Sequence, residues 1–156
     1  GSRLFGVAGA GEPSEWRGKG KLVAWYESYK SVVDMMGLCY FGYGWYNVDM
    51  ADYEELAELY YHATGIDPGG SELAKAGYRN HLREKFFNMK HASHSRKDDI
   101  LPQRIMTEPV SGGPFRGRYL KSDILNKMLD EYYEALGWDV KTGLPSEELL
   151  RKEGIL

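Results

Sequence analysis

The chain has 156 residues and a formal net charge of −3, a length that fits one domain or one lobe of a larger protein. A dominant basic balance, the mark of a nucleic-acid binder, is absent. No apolar run approaches the roughly 20 residues that a membrane helix needs. Hydrophobic residues make up 42% of the sequence, enough to line a core. No secretory signal pattern stands at the start, and the expected location is the cytoplasm. Twelve tyrosines and four tryptophans point to aromatic-rich interfaces or a pocket. The single cysteine, Cys39, rules out an internal disulfide and any all-cysteine metal site made by this chain alone. Its role is apolar filler, a reactive thiol, or one ligand of a site completed elsewhere.

In chain order, residues 1–20 read as a linker or an introduced start, because Gly6, Gly9, Gly11, Pro13, Gly18 and Gly20 break any periodicity. The run Gly6 to Gly11 has the outline of a phosphate loop. It lacks a preceding apolar strand, however, and Pro13 follows at once, which favours the linker. A first helix is predicted from about Leu22 to Met36, with Leu22, Trp25, Tyr26, Tyr29, Val32, Val33 and Met36 on one face. Gly37 is its natural stop. An aromatic, glycine-spaced loop occupies residues 40–48.

A second helix is predicted from about Asp52 to Ala63, with Asp52 and Glu55 as a capping pair and a stripe of Leu56, Leu59, Tyr60 and Ala63. A third runs from about Glu72 to Met89 with Ser71 as its cap. Its apolar face is Ala74, Tyr78, Leu82, Phe86 and Met89. Gly77 inside it costs about 1 kcal/mol relative to alanine, and close approach of a backbone or ligand is the usual reason for such a glycine. Residues 92–121 form an irregular, proline-rich connection, of the kind that wraps a surface or contributes to a site. A fourth helix covers Asp123 to Leu136, with Ser122 as cap and Gly137 as stop. A short last helix follows Ser146. No strand pair, repeat or low-complexity tract is evident. The predicted class is all-α, a multihelical irregular bundle with long irregular connections.

The informative segment is Asp34-Met35-Met36-Gly37-Leu38-Cys39. A helix C-terminus carries partial negative charge, which disfavours an exposed carboxylate there by roughly 0.3–1 kcal/mol. Something should therefore compensate Asp34, such as a cation or a cluster of hydrogen-bond donors. Gly37 turns the backbone, and Leu38 and Cys39 emerge just past the helix end. A carboxylate and a thiol are thus presented on one turn, which suits a ligand with a donor-rich edge beside a thiophilic metal. The plainer alternative is that a lone cysteine near an apolar helix end is buried filler.

In these residues the chain resembles the C-terminal region of the tungsten-containing aldehyde:ferredoxin oxidoreductases, whose pterin-binding motif reads Asp-x-x-Gly-Leu followed by Cys or Asp. Further matches come in family order. They are Glu55 to Leu59 leading to Ala63-Thr64-Gly65, then Phe87-Asn88, then Ser95 to Arg104 closing with Glu108-Pro109. Met128 to Tyr133, Gly137-Trp138-Asp139 and Gly143-Leu144-Pro145 follow, and the ending Glu153 to Leu156 also looks like a family terminus. Each is weak alone; the ordered set, spanning about residue 22 to the end, is specific.

The resemblance implies an enzyme that holds tungsten through the dithiolenes of two pterins, with no protein atom on the metal. Asp34 would hydrogen-bond a pterin ring, with Gly37 and Leu38 beside it. Cys39 would be the fourth ligand of a [4Fe–4S] cluster, whose other cysteines lie in upstream domains of the same polypeptide. The reaction would be oxidation of an aldehyde to a carboxylic acid, with ferredoxin as electron acceptor. The family's acid–base residues also lie upstream, so the resemblance implies no catalytic residue in this chain. It also implies no bound cofactor for the chain alone, and no nucleic-acid or membrane partner. Exposed apolar surface would favour self-association or a homo-oligomer. The sequence departs from the family between Phe87-Asn88 and Arg96. There an expected Asn-x-Arg-x-Gly is replaced by Asn88 to Ser95, which lacks the glycine and is one residue longer. Members with other reactions, notably a benzoyl-coenzyme A reductase type, are not separated by these motifs, and a stand-alone helical binding module without a redox role is the alternative from another class.

Other constellations carry less. His81, His91 and His94 with Asp98 and Asp99 have metal-ligand chemistry, but no compact ligand spacing. Arg79, Arg83, Lys85, Lys90, Arg96 and Lys97 form a basic stretch, either a ferredoxin-docking surface or solvated helix paired with Glu72, Glu84 and Asp98-Asp99. Asp98-Asp99 is either a catalytic carboxylate pair or, as the family match favours, an anchor for the long loop. The aromatic stretch 40–48 lines a tunnel or packs against other domains.

Overall fold

A computed structural model describes residues 10–43 and 51–156, apart from the side chains of Tyr40 and Tyr43. The glycine run before Ala10 and most of the aromatic stretch, including Trp45 and Tyr46, lie outside the described residues. The elements are α1 (Lys19–Met35), α2 (Tyr40–Tyr43), α3 (Tyr53–Thr64), α4 (Gly69–Ala92), a 3-10 turn (Arg96–Asp98), α5 (Gln103–Thr107), α6 (Ser122–Leu136) and α7 (Glu147–Lys152). Among the described residues the β pairing is one isolated bridge between Asp139 and Leu144. The class is all-α, as expected from the sequence. The chain forms two compact units, one from residues up to Ala24 with Asn88–Ser146, the other from Trp25–Phe87 with Glu147–Leu156.

The second unit is built on the face predicted for the first helix. Tyr29, Val32 and Val33 are fully enclosed, and with Leu56, Ala57 and Leu73 they form the core. Burial of each large side chain is worth about 1.5–3 kcal/mol. Trp25 stacks on Tyr29 at 5.2 Å, and Tyr53 meets Tyr29 edge-on at 5.6 Å. The Tyr29 hydroxyl donates to the Ala51 carbonyl at 2.7 Å, satisfying the polar tip of a buried ring. Gly77 shows why α4 accepts a glycine. A Cβ built there would lie 2.2 Å from the Ser28 carbonyl oxygen and 2.8 Å from Val32 Cγ2, so the two helices touch backbone to side.

The Asp52–Glu55 capping box is present. Asp52 accepts from the N–H groups of Glu54 and Glu55 at 2.9 and 3.0 Å, and Glu55 accepts from the Asp52 N–H at 2.8 Å. Three details differ from the sequence reading. The α3 stripe is turned: Leu56 is buried with Ala57, while Leu59 is 37% exposed and Ala63 faces solvent. α4 starts at Gly69, so Ser71 lies inside it. Its first N–H groups are taken by Asp67 at 3.0 Å and, from 16 residues upstream, by Glu54 at 3.0 Å. The buried residues of α4 are Gly70, Leu73, Gly77, Leu82 and Lys85; of the predicted face Leu82 is among them, while Ala74, Tyr78, Phe86 and Met89 are half-buried.

In the first unit, Tyr133 of α6 is fully buried. It meets Tyr132 edge-on at 5.4 Å and stacks near Trp138 at 6.4 Å. α6 begins at Ser122 with Lys121 at the cap position and no side-chain cap, so Ser122 is a first-turn residue rather than the cap. The Glu131 carboxylate accepts from the Gly18 N–H at 2.9 Å and the Gly20 N–H at 3.3 Å.

Where the chain leaves α4, Ser93 takes φ +52°, within the stretch that lacks the glycine expected there. A left-handed backbone costs an L-residue about 1–2 kcal/mol, and glycine's extra freedom when unfolded offsets about 0.5–1 kcal/mol of that. Ser93→Gly should therefore raise stability by about 0.5–1 kcal/mol, and Ser93→Val should lower it. Paired urea unfolding curves check both signs.

Candidate functional site

The turn at the end of α1 is made by the backbone. The Met36 N–H donates to Val32 at 3.0 Å, the Gly37 N–H to Asp34 at 3.0 Å and the Leu38 N–H to Val33 at 3.0 Å. The last two bonds, with Gly37 at φ +69°, form a Schellman cap, in which a left-handed residue lets the chain satisfy the final helical carbonyls. Among the described residues a Cβ at Gly37 would meet nothing within 4 Å, so the glycine answers the dihedral. Leu38 is half-buried and packs on the core that holds Tyr29 and Val33. Cys39 is exposed, and its carbonyl accepts from the Gly42 N–H at 2.9 Å, opening α2.

Asp34 is exposed, and its Oδ2 is bound by the ammonium of Lys30, one turn upstream. The turn's own N–H groups go to carbonyls, so Lys30 is the compensating cation that the helix dipole calls for. Among the described residues Asp34 Oδ1 accepts no hydrogen bond. The structure thus leaves a carboxylate oxygen, a glycine turn and an exposed thiol on one six-residue segment.

The other constellations separate. His81, in the second unit, sits 3.4 Å from Glu27 and 3.9 Å from Glu84. Burial holds its imidazolium form below the ordinary histidine range, against the pull of Glu84. In the first unit His94 lies 3.5 Å from Asp99, and His91 is exposed. Among the described residues no three His, Cys, Asp or Glu side chains gather where a metal ion could be held. Asp98 accepts from the Ser95 N–H at 2.9 Å, and this backbone bond is the main reason its carboxyl is held below the usual range. Asp99 accepts from the Tyr133 hydroxyl. Burial first, then this bond, pushes the phenol of Tyr133 upward. The two aspartates therefore anchor the long loop.

Arg96 is no surface cation. Its guanidinium donates to Asp130 at 2.6 Å and to the Val140 carbonyl at 2.7 Å. It reaches the Asn126 carbonyl and side-chain oxygen at 3.2 Å each, and lies 5.3 Å over the Tyr133 ring. Lys85 is buried. The pairings of the basic stretch are mixed: Glu72 binds Lys75 at 2.6 Å and Arg79 lies 3.8 Å from Glu153, while the charges of Arg79 and Lys97 still act on Glu72 and Asp98. Two open grooves lie in the first unit. One of about 500 Å³ has Arg96, Lys97 and Lys141 around Ile100, Leu125 and Leu129. One of about 630 Å³ has Arg104 and Arg118 beside Ile105, Val110, Phe115 and Tyr119. Sequence reading missed Lys30, although its four-residue spacing from Asp34 was a usable signal. It also missed the role of Arg96, whose partners lie at least 30 residues away.

Comparison with known proteins matches residues 3–155 to the family model described as aldehyde ferredoxin oxidoreductase, domains 2 and 3. The tungsten-containing aldehyde ferredoxin oxidoreductase of Pyrococcus horikoshii is 32% identical over 131 residues, 84% of this chain and 20% of that protein. The protein of the same description from Pyrococcus furiosus is 31% identical over 129 residues, 83% of this chain and 20% of its own length. An aliphatic sulfonate oxidoreductase, WOR-like subunit, from Pyrococcus furiosus is 38% identical over 60 residues, 38% of this chain and 9% of that protein. The chain spans about a fifth of the length of the first of these curated relatives.

Proposed function

Because the chain belongs to the aldehyde ferredoxin oxidoreductase family, we propose that it is the helical C-terminal portion of a tungsten–pterin enzyme that oxidises aldehydes to carboxylic acids and passes the electrons to ferredoxin. The observation that carries this reading is the turn from Asp34 to Cys39, where a carboxylate and a thiol stand exposed on one six-residue segment. The donor set fits the groups in question. Asp34 Oδ1 is an acceptor with no partner among the described residues, matched to the amino and ring N–H edge of a pterin. The Cys39 thiol is of the type that ligates iron in a [4Fe–4S] cluster. Leu38 fixes the turn to the core and offers an apolar edge beside the pterin.

When bound, the pterin-held tungsten would supply the two-electron oxidation, and the cluster would carry electrons singly outward. The part of this chain is to bind and orient: Asp34 holds the pterin edge, and Cys39 completes the cluster begun by cysteines of upstream domains. No acid–base step is assigned to its residues. The whole enzyme is cytoplasmic and assembles as a homo-oligomer. Aldehydes are the first substrate class because four relatives carry that name. A sulfonate-related substrate is the second, from the similarity over 60 residues to the aliphatic sulfonate oxidoreductase subunit.

The test is to express the whole gene product anaerobically with tungstate and to measure tungsten, iron and releasable pterin. Wild type should hold all three, Cys39→Ser should lose most of its iron, and Asp34→Asn should lose pterin. An intact wild-type protein free of both metals would overturn the proposal.

A further inference from the structure

We propose that Lys30 is a positioning residue for the cofactor contact of Asp34, its ammonium fixing Oδ2 so that Oδ1 is presented to the donor edge of a pterin. The inference rests on the function proposed above and deepens it. Three observations carry it. First, every backbone N–H of the turn from Met36 to Leu38 is committed to a helix carbonyl. The Asp34 carboxylate therefore has no local amide to orient it, and Lys30 is its partner among the described residues. Second, the order of the pair is the less favourable one for a helix. A carboxylate four residues before a lysine suits the helix dipole, whereas here the lysine comes first and the carboxylate sits in the negative last turn. Third, both side chains are partly exposed, 41% for Lys30 and 54% for Asp34. Without the contact, the carboxylate would rotate freely in water at the turn. Fixing it before the ligand arrives removes an ordering cost from binding.

The test uses the metal-loaded enzyme that contains this chain and reads cofactor retention rather than turnover. Pterin released on dilution is followed by fluorescence after oxidation, and iron is counted in the same samples. Lys30→Met should release pterin about tenfold faster, in line with residues that support a ligand from behind. Its iron content should be unchanged, since Cys39 is untouched, and Lys30→Arg should restore retention to within about twofold. In the Lys30→Met, Asp34→Asn double variant, pterin loss should be no greater than in Asp34→Asn alone, because the proposed effect of Lys30 on pterin runs through that carboxylate. Wild-type retention in Lys30→Met alongside loss in Asp34→Asn would overturn the role of Lys30 and leave the pterin contact standing. Wild-type retention in Asp34→Asn would overturn the contact itself. Parallel loss of iron and pterin in Lys30→Met would mark a folding defect and overturn positioning.

Discussion

Gly77→Ala should lower the thermal unfolding midpoint by about 10 °C, or abolish cooperative unfolding altogether. Alanine is the better helix former by about 1 kcal/mol, so propensity alone predicts a gain. The added methyl, however, would stand 2.2 Å from the Ser28 carbonyl oxygen. That atom belongs to the backbone of α1 and cannot rotate away. Overpacking of a close-packed contact costs about 1–3 kcal/mol when side chains can yield. Here the helices themselves must part, which separates Leu73 from Tyr29, Val32 and Val33. The net loss should be about 3 kcal/mol or more, equal to roughly 10 °C for a chain of this size. Gly112→Ala, where an added Cβ meets nothing within 4 Å, should stay within about 0.5 kcal/mol of wild type. Circular dichroism melts of the two variants side by side decide the matter, and equal melts would mean that α1 and α4 do not touch at Gly77.

Arg96→Met should cost about 2–3 kcal/mol, the range for hydrogen bonds to charged groups when several are lost together. One guanidinium ties the start of the long loop to Asp130, to Asn126 and to the Val140 carbonyl, and stacks on Tyr133. Arg96→Lys should recover little, because an ammonium cannot reach three partners with a planar fork. Hydrogen exchange should quicken at the Arg96 amide, which donates to the Thr142 carbonyl at 2.8 Å, and at the neighbouring Asp98 and Asp99 amides. It should stay slow in the α1 segment around Val32. A loss below about 0.5 kcal/mol with unchanged exchange would show that the loop is held by other contacts.

Much of this was legible in the sequence wherever the determinant was local. The three- and four-residue spacing of Tyr29, Val32 and Val33 selected the buried face of α1, and Asp52 with Glu55 announced a capping box that forms. The close approach inferred from Gly77 is there, with a helix backbone as the neighbour. Readings failed where a distant partner decides. The start of α4 at Gly69 is held by Asp67 and by the distant Glu54, so the signal of Ser71 was overridden. Arg96 looked like one more cation in a basic run, because its ligands lie 30 to 44 residues further along. At the candidate site, the need for a cation or hydrogen-bond donors near Asp34 followed from the helix dipole. Lys30 supplies it from one turn before the helix end.

The cap at Gly37 has a consequence for assembly. Its shape is set by main-chain bonds and by Leu38 resting on the core, and neither the Asp34 carboxylate nor the Cys39 sulfur takes part. Zinc fingers, by contrast, draw their folding energy from the ion they bind. Under the proposed function, this turn would have its shape before a cofactor arrived, and loading would be a late docking event. Scarcity of metal would then leave well-formed but empty molecules, not misfolded ones.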